Sequence, residues 1–238
     1  MDITVVPDDK FNICIAQKLA RQIINKPGSA VCVATGTTTD LIWPELVRLK
    51  QELDIDFSDA FFFNLDEYAG VSPDDPGSCY YRIKRDLYAP LGLEEEQFYV
   101  PGTPANDMDE GLFQFQKVLD RICGIDLMLL TVGSNGHIAF NEPGTPFESV
   151  LYPAKISQST VEAKKGMFGG ADKVPQYGIT MGIRSIMQAK RILFAAKGVH
   201  KAEIIKKSIN GPVTTDIPAS VLQLHPFLEV VLDKSAAG

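Results

Sequence analysis

Ile125-Asp126-Leu127-Met128-Leu129-Leu130-Thr131-Val132-Gly133-Ser134-Asn135-Gly136-His137-Ile138-Ala139-Phe140-Asn141-Glu142 is the stretch on which the fold turns. Ile125 to Thr131 is a short, mostly apolar run, the pattern of a strand covered on both faces. It leads straight into two glycines, Gly133 and Gly136, around a polar pair. His137 follows at once and the Glu142 carboxylate comes five residues later. Open α/β sheets bind ligands outside the carboxyl ends of their strands. The stretch therefore predicts a buried parallel strand that ends in an imidazole and a carboxylate, the inventory of an acid–base site. His137 is one of only three histidines in the chain, which makes its place at a strand end more telling.

The same alternation continues on both sides. Phe11, Ile15, Leu19 and Ile23 recur at helical spacing within Asp8 to Asn25, and Lys26-Pro27-Gly28 stops that helix. Ala30 to Ala34 reads as a buried strand, Thr35 to Asp40 as a turn, and the segment to Leu53 as a helix. Ala60 to Leu65 and Gln97 to Val100 read as strands, Gly77 to Tyr88 and Asp107 to Cys123 as helices. After the His137 segment, Ile179 to Gln188 reads as a helix, Arg191 to Ala196 as a strand and His200 to Ile209 as a helix. Pro218 to Leu222 is a short helix and Leu228 to Leu232 the last strand. Strand–helix alternation along the chain predicts one α/β domain over residues 1–238. It is a single doubly wound, mostly parallel sheet with helices on both faces, a Rossmann-like three-layer arrangement. The polar, Gly-containing stretch 155–173 is expected to be a mobile lid.

Composition narrows the partners. The chain has 238 residues, a net charge of -7 and a pI near 5.0. An acidic surface does not attract nucleic acid, although a local cluster of cations can still receive a small anion. No run is long and apolar enough to span a membrane. No basic stretch followed by an apolar core opens the chain, so no secretory signal is expected. Cys14, Cys32, Cys79 and Cys123 lie far apart without Cys-x-x-Cys spacing, so no metal site is expected. Reduced, mostly buried thiols in a cytoplasmic protein are the expectation.

Three further segments carry chemistry. Thr35-Gly36-Thr37-Thr38-Thr39-Asp40 joins a strand to a helix. Its hydroxyls and the free amides of a helix start suit a phosphate; an ordinary threonine N-cap reads the same way. Asn64-Leu65-Asp66-Glu67-Tyr68 ends a strand and places two carboxylates near the Thr35 loop. Desolvated like charges can raise one pKa and create a base; a solvated acidic turn is the plainer alternative. Lys201 opens a helix, where its charge opposes the dipole unless an anion is present; it also reads as a surface lysine. Lys164 and Lys165 in the lid stretch could reach the same anion. His225, His200 and Trp43 read as turn, cap neighbour and core.

Together these segments resemble the glucosamine-6-phosphate deaminase/isomerase family. The resemblance rests on Ala34-Thr35-Gly36-Thr37-Thr38, Asn64 to Tyr68, Gly133 to His137 and Phe140-Asn141-Glu142-Pro143-Gly144. It extends to Ile179-Thr180-Met181-Gly182, to Lys201 and to Ile217 through His225, in the right order over nearly the whole chain. Pro76 to Cys79, Pro90 to Leu93 and Thr215 to Leu222 lean toward the galactosamine-6-phosphate isomerase branch. The resemblance implies a cofactor-free conversion of an amino-hexose 6-phosphate to a ketohexose 6-phosphate with loss of ammonia. It implies that His137 handles the ring-oxygen proton, tuned by Glu142 with Asn135 beside it. Asp66 moves the C2 proton to C1, supported by Glu67. Thr35, Gly36, Thr37, Thr38, Lys201 and Lys165 hold the phosphate.

The chain departs from the family pattern at four places. Gly36-Thr37-Thr38-Thr39 stands where Gly-Gly-Thr-Pro is common, Asn135 where Asp is common, and Lys165 at the position nearest the lid arginine. Tyr152 and Ala154 replace the basic allosteric positions of hexameric members, so feedback by an acetylated sugar phosphate is not expected. The partner implied is a small sugar phosphate, with the chain a monomer or a homo-oligomer. The competing readings are a 6-phosphogluconolactonase-like hydrolase and a non-catalytic sugar-phosphate-binding protein.

Overall fold

In a computed structural model that describes residues 1–102 and 107–238, Leu127–Leu130 is a strand whose residues are all buried. In chain order the strands are β1 (Asp2–Val6), β2 (Ala30–Val33), β3 (Phe61–Asn64), β4 (Asp66–Tyr68), β5 (Phe98–Tyr99), β6 (Leu127–Leu130), β7 (Leu151–Lys155), β8 (Tyr177–Met181), β9 (Ile192–Ala196) and β10 (Leu228–Asp233). The helices are α1 (Phe11–Asn25), α2 (Ile42–Leu53), α3 (Cys79–Ile83), α4 (Met108–Arg121), α5 (Gln158–Phe168), α6 (Ile183–Met187), α7 (Ala202–Asn210) and α8 (Lys234–Ala237).

Seven strands form one sheet in the order β1-β10-β9-β6-β2-β3-β5, and every neighbouring pair is parallel. A parallel sheet must be covered on both faces. One core gathers Phe11, Ile15, Leu19, Ile23, Trp43, Leu46, Phe62 and Tyr88; the other gathers Phe63, Phe115, Met128, Phe194, Ile205 and Leu222. The helical spacing of α1 buries Phe11, Ile15, Leu19 and Ile23, each worth about 1.5–3 kcal/mol. The chain runs outward through β2, β3 and β5, then returns to place β6 on the other side of β2. The order reverses between β2 and β6. At such a switch point the loops diverge and leave a crevice at the carboxyl ends.

The doubly wound sheet agrees with the pattern reading, and a second sheet stands beside it. β4, β8 and β7 form an antiparallel sheet with β8 in the middle. The helix expected over Ile179 to Gln188 is corrected: Tyr177–Met181 is β8 and only Ile183–Met187 is helical. Ile179, Ile183 and Ile186 mimic helical spacing across a strand–helix junction. β1 and β7 give no apolar signal because both are edge strands. β1 leaves Ile3 and Val5 half exposed, and β7 contains Pro153, which an edge strand tolerates. Asp66–Tyr68 is a separate strand rather than the end of β3.

Within the stretch 155–173, Gln158–Phe168 forms α5. Ser157 caps that helix by accepting a hydrogen bond from the Thr160 amide, and Gly169, at φ 73°, ends it. Trp43 is core, as read from the sequence. His225 is structural, with Nε2 2.8 Å from the Ala189 carbonyl. All four cysteines are free; Cys32 and Cys79 are buried and Cys123 is exposed. Among the described residues no helix is long and apolar enough to cross a membrane.

Candidate active site

The loop after β2 forms the floor of a cavity at the switch point. Thr39, not Gly36, makes the turn: its Oγ1 accepts from the Gly36 amide (3.1 Å) and donates toward the Ala34 and Gly36 carbonyls at 3.0 and 2.9 Å. Gly36 has no left-handed φ, and a Cβ built there meets nothing within 4 Å. Among the described residues no hydrogen bond occupies the Thr37 and Thr38 amides. With both residues lining the cavity, those N–H groups form a concave anion seat ahead of α2.

Asp66 and Glu67 follow β3, and strand alternation sends their side chains to opposite sides. Glu67 therefore does not line the cavity. It is buried against the start of α3, where its carboxylate accepts from the amides of Tyr68, Cys79 and Tyr80 at 2.7, 3.0 and 2.8 Å and from Ser78 Oγ at 2.8 Å. Asp66 faces the cavity, and among the described residues nothing donates to its carboxylate. Burial first, and the Glu67 charge second, push the Asp66 pKa up to about 7, with Lys164 opposing. The acidic pair is not a solvated turn: Asp66 is 9% exposed and Glu67 4%.

On the other side of β2, Gly133 and Gly136 shape the loop after β6. A Cβ on Gly133 would lie 2.1 Å from the His137 ring, so only glycine lets the ring pack there; Gly136 takes φ 92°. Asn135 Nδ2 donates to Glu142 Oε2 (2.6 Å), which leaves Asn135 Oδ1 for His137 Nδ1 at 2.7 Å. An amide oxygen only accepts, so Nδ1 carries the ring proton and Nε2 the lone pair. Glu142 Oε1 lies 3.5 Å from Nδ1 as a second partner. His137 lines the cavity, while Asn135 and Glu142 stand behind it. Burial lowers the His137 pKa below the usual imidazole range and the Lys201 and Lys164 charges add to this; Glu142 opposes them. Ala139, also on the cavity wall, holds φ 51°, a strained conformation of the kind that collects at functional sites.

Helix α5 roofs the cavity with Ser159, Thr160, Ala163 and Lys164. Lys165, expected to hold the anion, lies outside: it is exposed and pairs with Glu162 at 3.0 Å. Helical phase explains the exchange. Thr160 and Lys164 are four residues apart and share a face, and Lys165 is turned about 100° away from it. Thr160 escapes a reading by residue type, yet its Oγ1 reaches 3.5 Å from Glu142 Oε1. Lys201 lines the cavity with its Nζ on the Val132 carbonyl, so it is not a free surface lysine. Burial lowers the pKa of both lysines.

The cavity encloses about 250 Å³. It brings together Thr35, Gly36, Thr37, Thr38, Asp66, His137 and Lys201, with Asn135, Glu142 and Glu67 one layer behind and Lys165 excluded. Chemically it offers a base near neutrality, a neutral imidazole with a fixed tautomer, and an anion seat with two cations. Among the described residues no group of three or more His, Cys, Asp and Glu side chains could hold a metal ion.

The profile of the glucosamine-6-phosphate isomerases/6-phosphogluconolactonase family matches residues 10–230. A glucosamine-6-phosphate deaminase of Thermoanaerobacter pseudethanolicus is 39% identical over 223 residues, which is 94% of this chain and 88% of the relative. One of Lachnoclostridium phytofermentans is 41% identical over 216 residues, 91% and 92% of the two chains. The solved structure of a monomeric glucosamine-6-phosphate deaminase superposes with a TM-score of 0.95 at 33% identity, covering 100% of this chain and 99% of the other. The 6-phosphogluconolactonase of Thermotoga maritima superposes at 0.76 with 16% identity over 98% and 99%, a likeness of fold alone.

Proposed function

Because the chain belongs to the glucosamine-6-phosphate isomerase/6-phosphogluconolactonase family, we propose that it is an amino-hexose-6-phosphate deaminase that isomerises its substrate. The carrying observation is Asp66, a cavity carboxylate with no donor among the described residues and a pKa of about 7, in the same cavity as a neutral His137. A catalytic base works best when its pKa lies near the working pH.

The steps follow from the protons. His137 Nε2, the free lone pair, accepts the C1 hydroxyl proton as the sugar ring opens and returns a proton to the ring oxygen. Asp66 then takes the C2 proton while the C1 oxygen takes one from the substrate's own ammonium group, leaving an enolamine across C1 and C2. The same proton returns to C1, which leaves an imine at C2. Water adds to that carbon and ammonia departs, giving the ketohexose 6-phosphate. The Thr35–Thr38 loop, Lys201 and Lys164 seat the phosphate. Binding this unreactive group provides energy for orienting C1 and C2. Thr160 and Lys164 act only when α5 covers the cavity, which supports a lid role for that helix.

The C4 epimer is the finer question. Relatives are named for glucosamine-6-phosphate. Of the three segments that lean toward the galactosamine branch, only Pro76 to Cys79 reaches the cavity, through Cys79. Ammonia release from glucosamine-6-phosphate and galactosamine-6-phosphate, assayed side by side, tests the reading. Release from at least one epimer is expected. Hydrolysis of 6-phosphogluconolactone without ammonia release from either epimer would overturn the reading.

A further inference from the structure

The Thr35 hydroxyl at the end of β2 is tied to groups behind the cavity wall. Thr35 Oγ1 accepts a 2.6 Å hydrogen bond from Asn64 Nδ2, and Asn64 Oδ1 accepts one of 2.6 Å from the Tyr88 hydroxyl. Asn64 is the last residue of β3 and is fully buried. Tyr88 is equally buried and ends a single π turn, Lys84–Tyr88, closed by the Ala89 amide on the Lys84 carbonyl. Such turns carry one extra residue and recur at functional sites. Here the wider turn buries Leu87 and Tyr88 in succession, bringing the phenol to Asn64.

Burial fixes the direction of each proton. Among the described residues, Asn64 is the hydrogen-bond partner of the Tyr88 hydroxyl. Burial pushes the phenol pKa up, so the phenol keeps its proton and gives it to the amide oxygen. The Asn64 nitrogen must then face Thr35. Asn64 thus occupies one of the two lone pairs of Thr35 Oγ1, and the hydroxyl proton remains for the cavity it lines.

We infer that Tyr88 and Asn64 are positioning residues that turn the Thr35 hydroxyl toward donating its proton to a substrate oxygen. A hydroxyl that already accepts from behind has one of its two lone pairs occupied and its O–H polarised, which favours presenting the proton to an arriving ligand. The fitting acceptor carries no proton of its own, as a phosphate oxygen does. The open amides of Thr37 and Thr38 and the Lys201 charge on the same cavity match that choice, which rests on the sugar-phosphate reading above.

A double-mutant cycle tests it. Calorimetric binding of glucosamine-6-phosphate and of galactosamine-6-phosphate is measured in the Asp66→Asn protein, which prevents turnover. Thr35→Val should weaken binding by roughly ten- to a hundredfold, the range for a hydrogen bond to a charged acceptor. Thr35→Ser should restore it. Tyr88→Phe should weaken binding about three- to tenfold alone and add nothing to Thr35→Val. The inference is overturned if Tyr88→Phe lowers the melting temperature while leaving affinity unchanged, or if its effect persists in full beside Thr35→Val. If the Asp66→Asn protein binds neither sugar phosphate, the substrate reading fails first and takes this inference with it.

Discussion

The two arms of the site solve opposite problems. At the start of β4, Asp66 has been stripped of partners: no described group donates to it, and its neighbour Glu67 spends its own hydrogen bonds on α3. At the end of β6, His137 is tied through Asn135 to Glu142. Isolation raises the basicity of a carboxylate; a tether fixes the tautomer of an imidazole. A base that must remove a carbon-bound proton needs the first, and a group that shuttles a proton between oxygens needs the second. Glu67 is the next residue after Asp66, yet it acts on Asp66 only through space, as a charge held nearby by the fold.

The contrast can be broken most sharply at Asp66. Asp66→Asn should cost about 10²–10⁴ in kcat, the usual reach of a general base, measured as ammonia release. The same change should raise stability, by an amount that depends on pH. The Asp66 carboxyl titrates at 3.8 when solvated and at about 7 in the fold. Between those values the folded chain holds a proton that the unfolded chain has lost, so stability falls as pH rises through the window. Above it the buried charge costs about a few kcal/mol, since each pH unit of that window contributes about 1.4 kcal/mol. Thermal melts of Asp66→Asn should therefore exceed the parent at about pH 8 and match it at about pH 3. An unchanged difference between the two pH values would show that Asp66 is not the isolated group described.

The tethered arm is probed at Asn135. Asn135→Asp adds a negative charge beside Nδ1 and should raise the His137 pKa by about one unit, followed by NMR titration of the ring. A smaller effect is expected at the roof. Lys164 pulls the Asp66 pKa down. Lys164→Gln should move the acid limb of the rate profile up by a few tenths of a pH unit, while Lys165→Gln leaves it in place. Equal displacements from both would contradict the helical phase that separates them.

Legibility follows the local physics. Thr35, Asp66 and His137 stand out because each sits at the end of an apolar run, and strand ends in a parallel sheet converge. Glu142 and Asn135 follow from their spacing to His137. The second sheet is hidden because β7 and β4 are short edge strands, one with a proline and one with two acids. Lys165 is favoured over Lys164 because it stands nearest the family's lid arginine; only the helical phase of α5 shows that Lys164 is the one turned to the cavity. Glu67 passes for a companion of Asp66 because adjacency in sequence hides the alternation of a strand. Thr160 carries no chemical signature of its own, and only the face it shares with Lys164 marks it.

Lys155 and Tyr177 are paired across β7 and β8, so the chain departs into the α5 roof and comes back at a single point. The roof is thus a cassette spliced into a ladder at one place, beside Thr180, whose backbone registers with Asp66 and whose hydroxyl accepts from the Phe140 amide. What the cassette carries still reaches the frame beneath it through side chains, Thr160 at Glu142 and the Lys164 charge at Asp66.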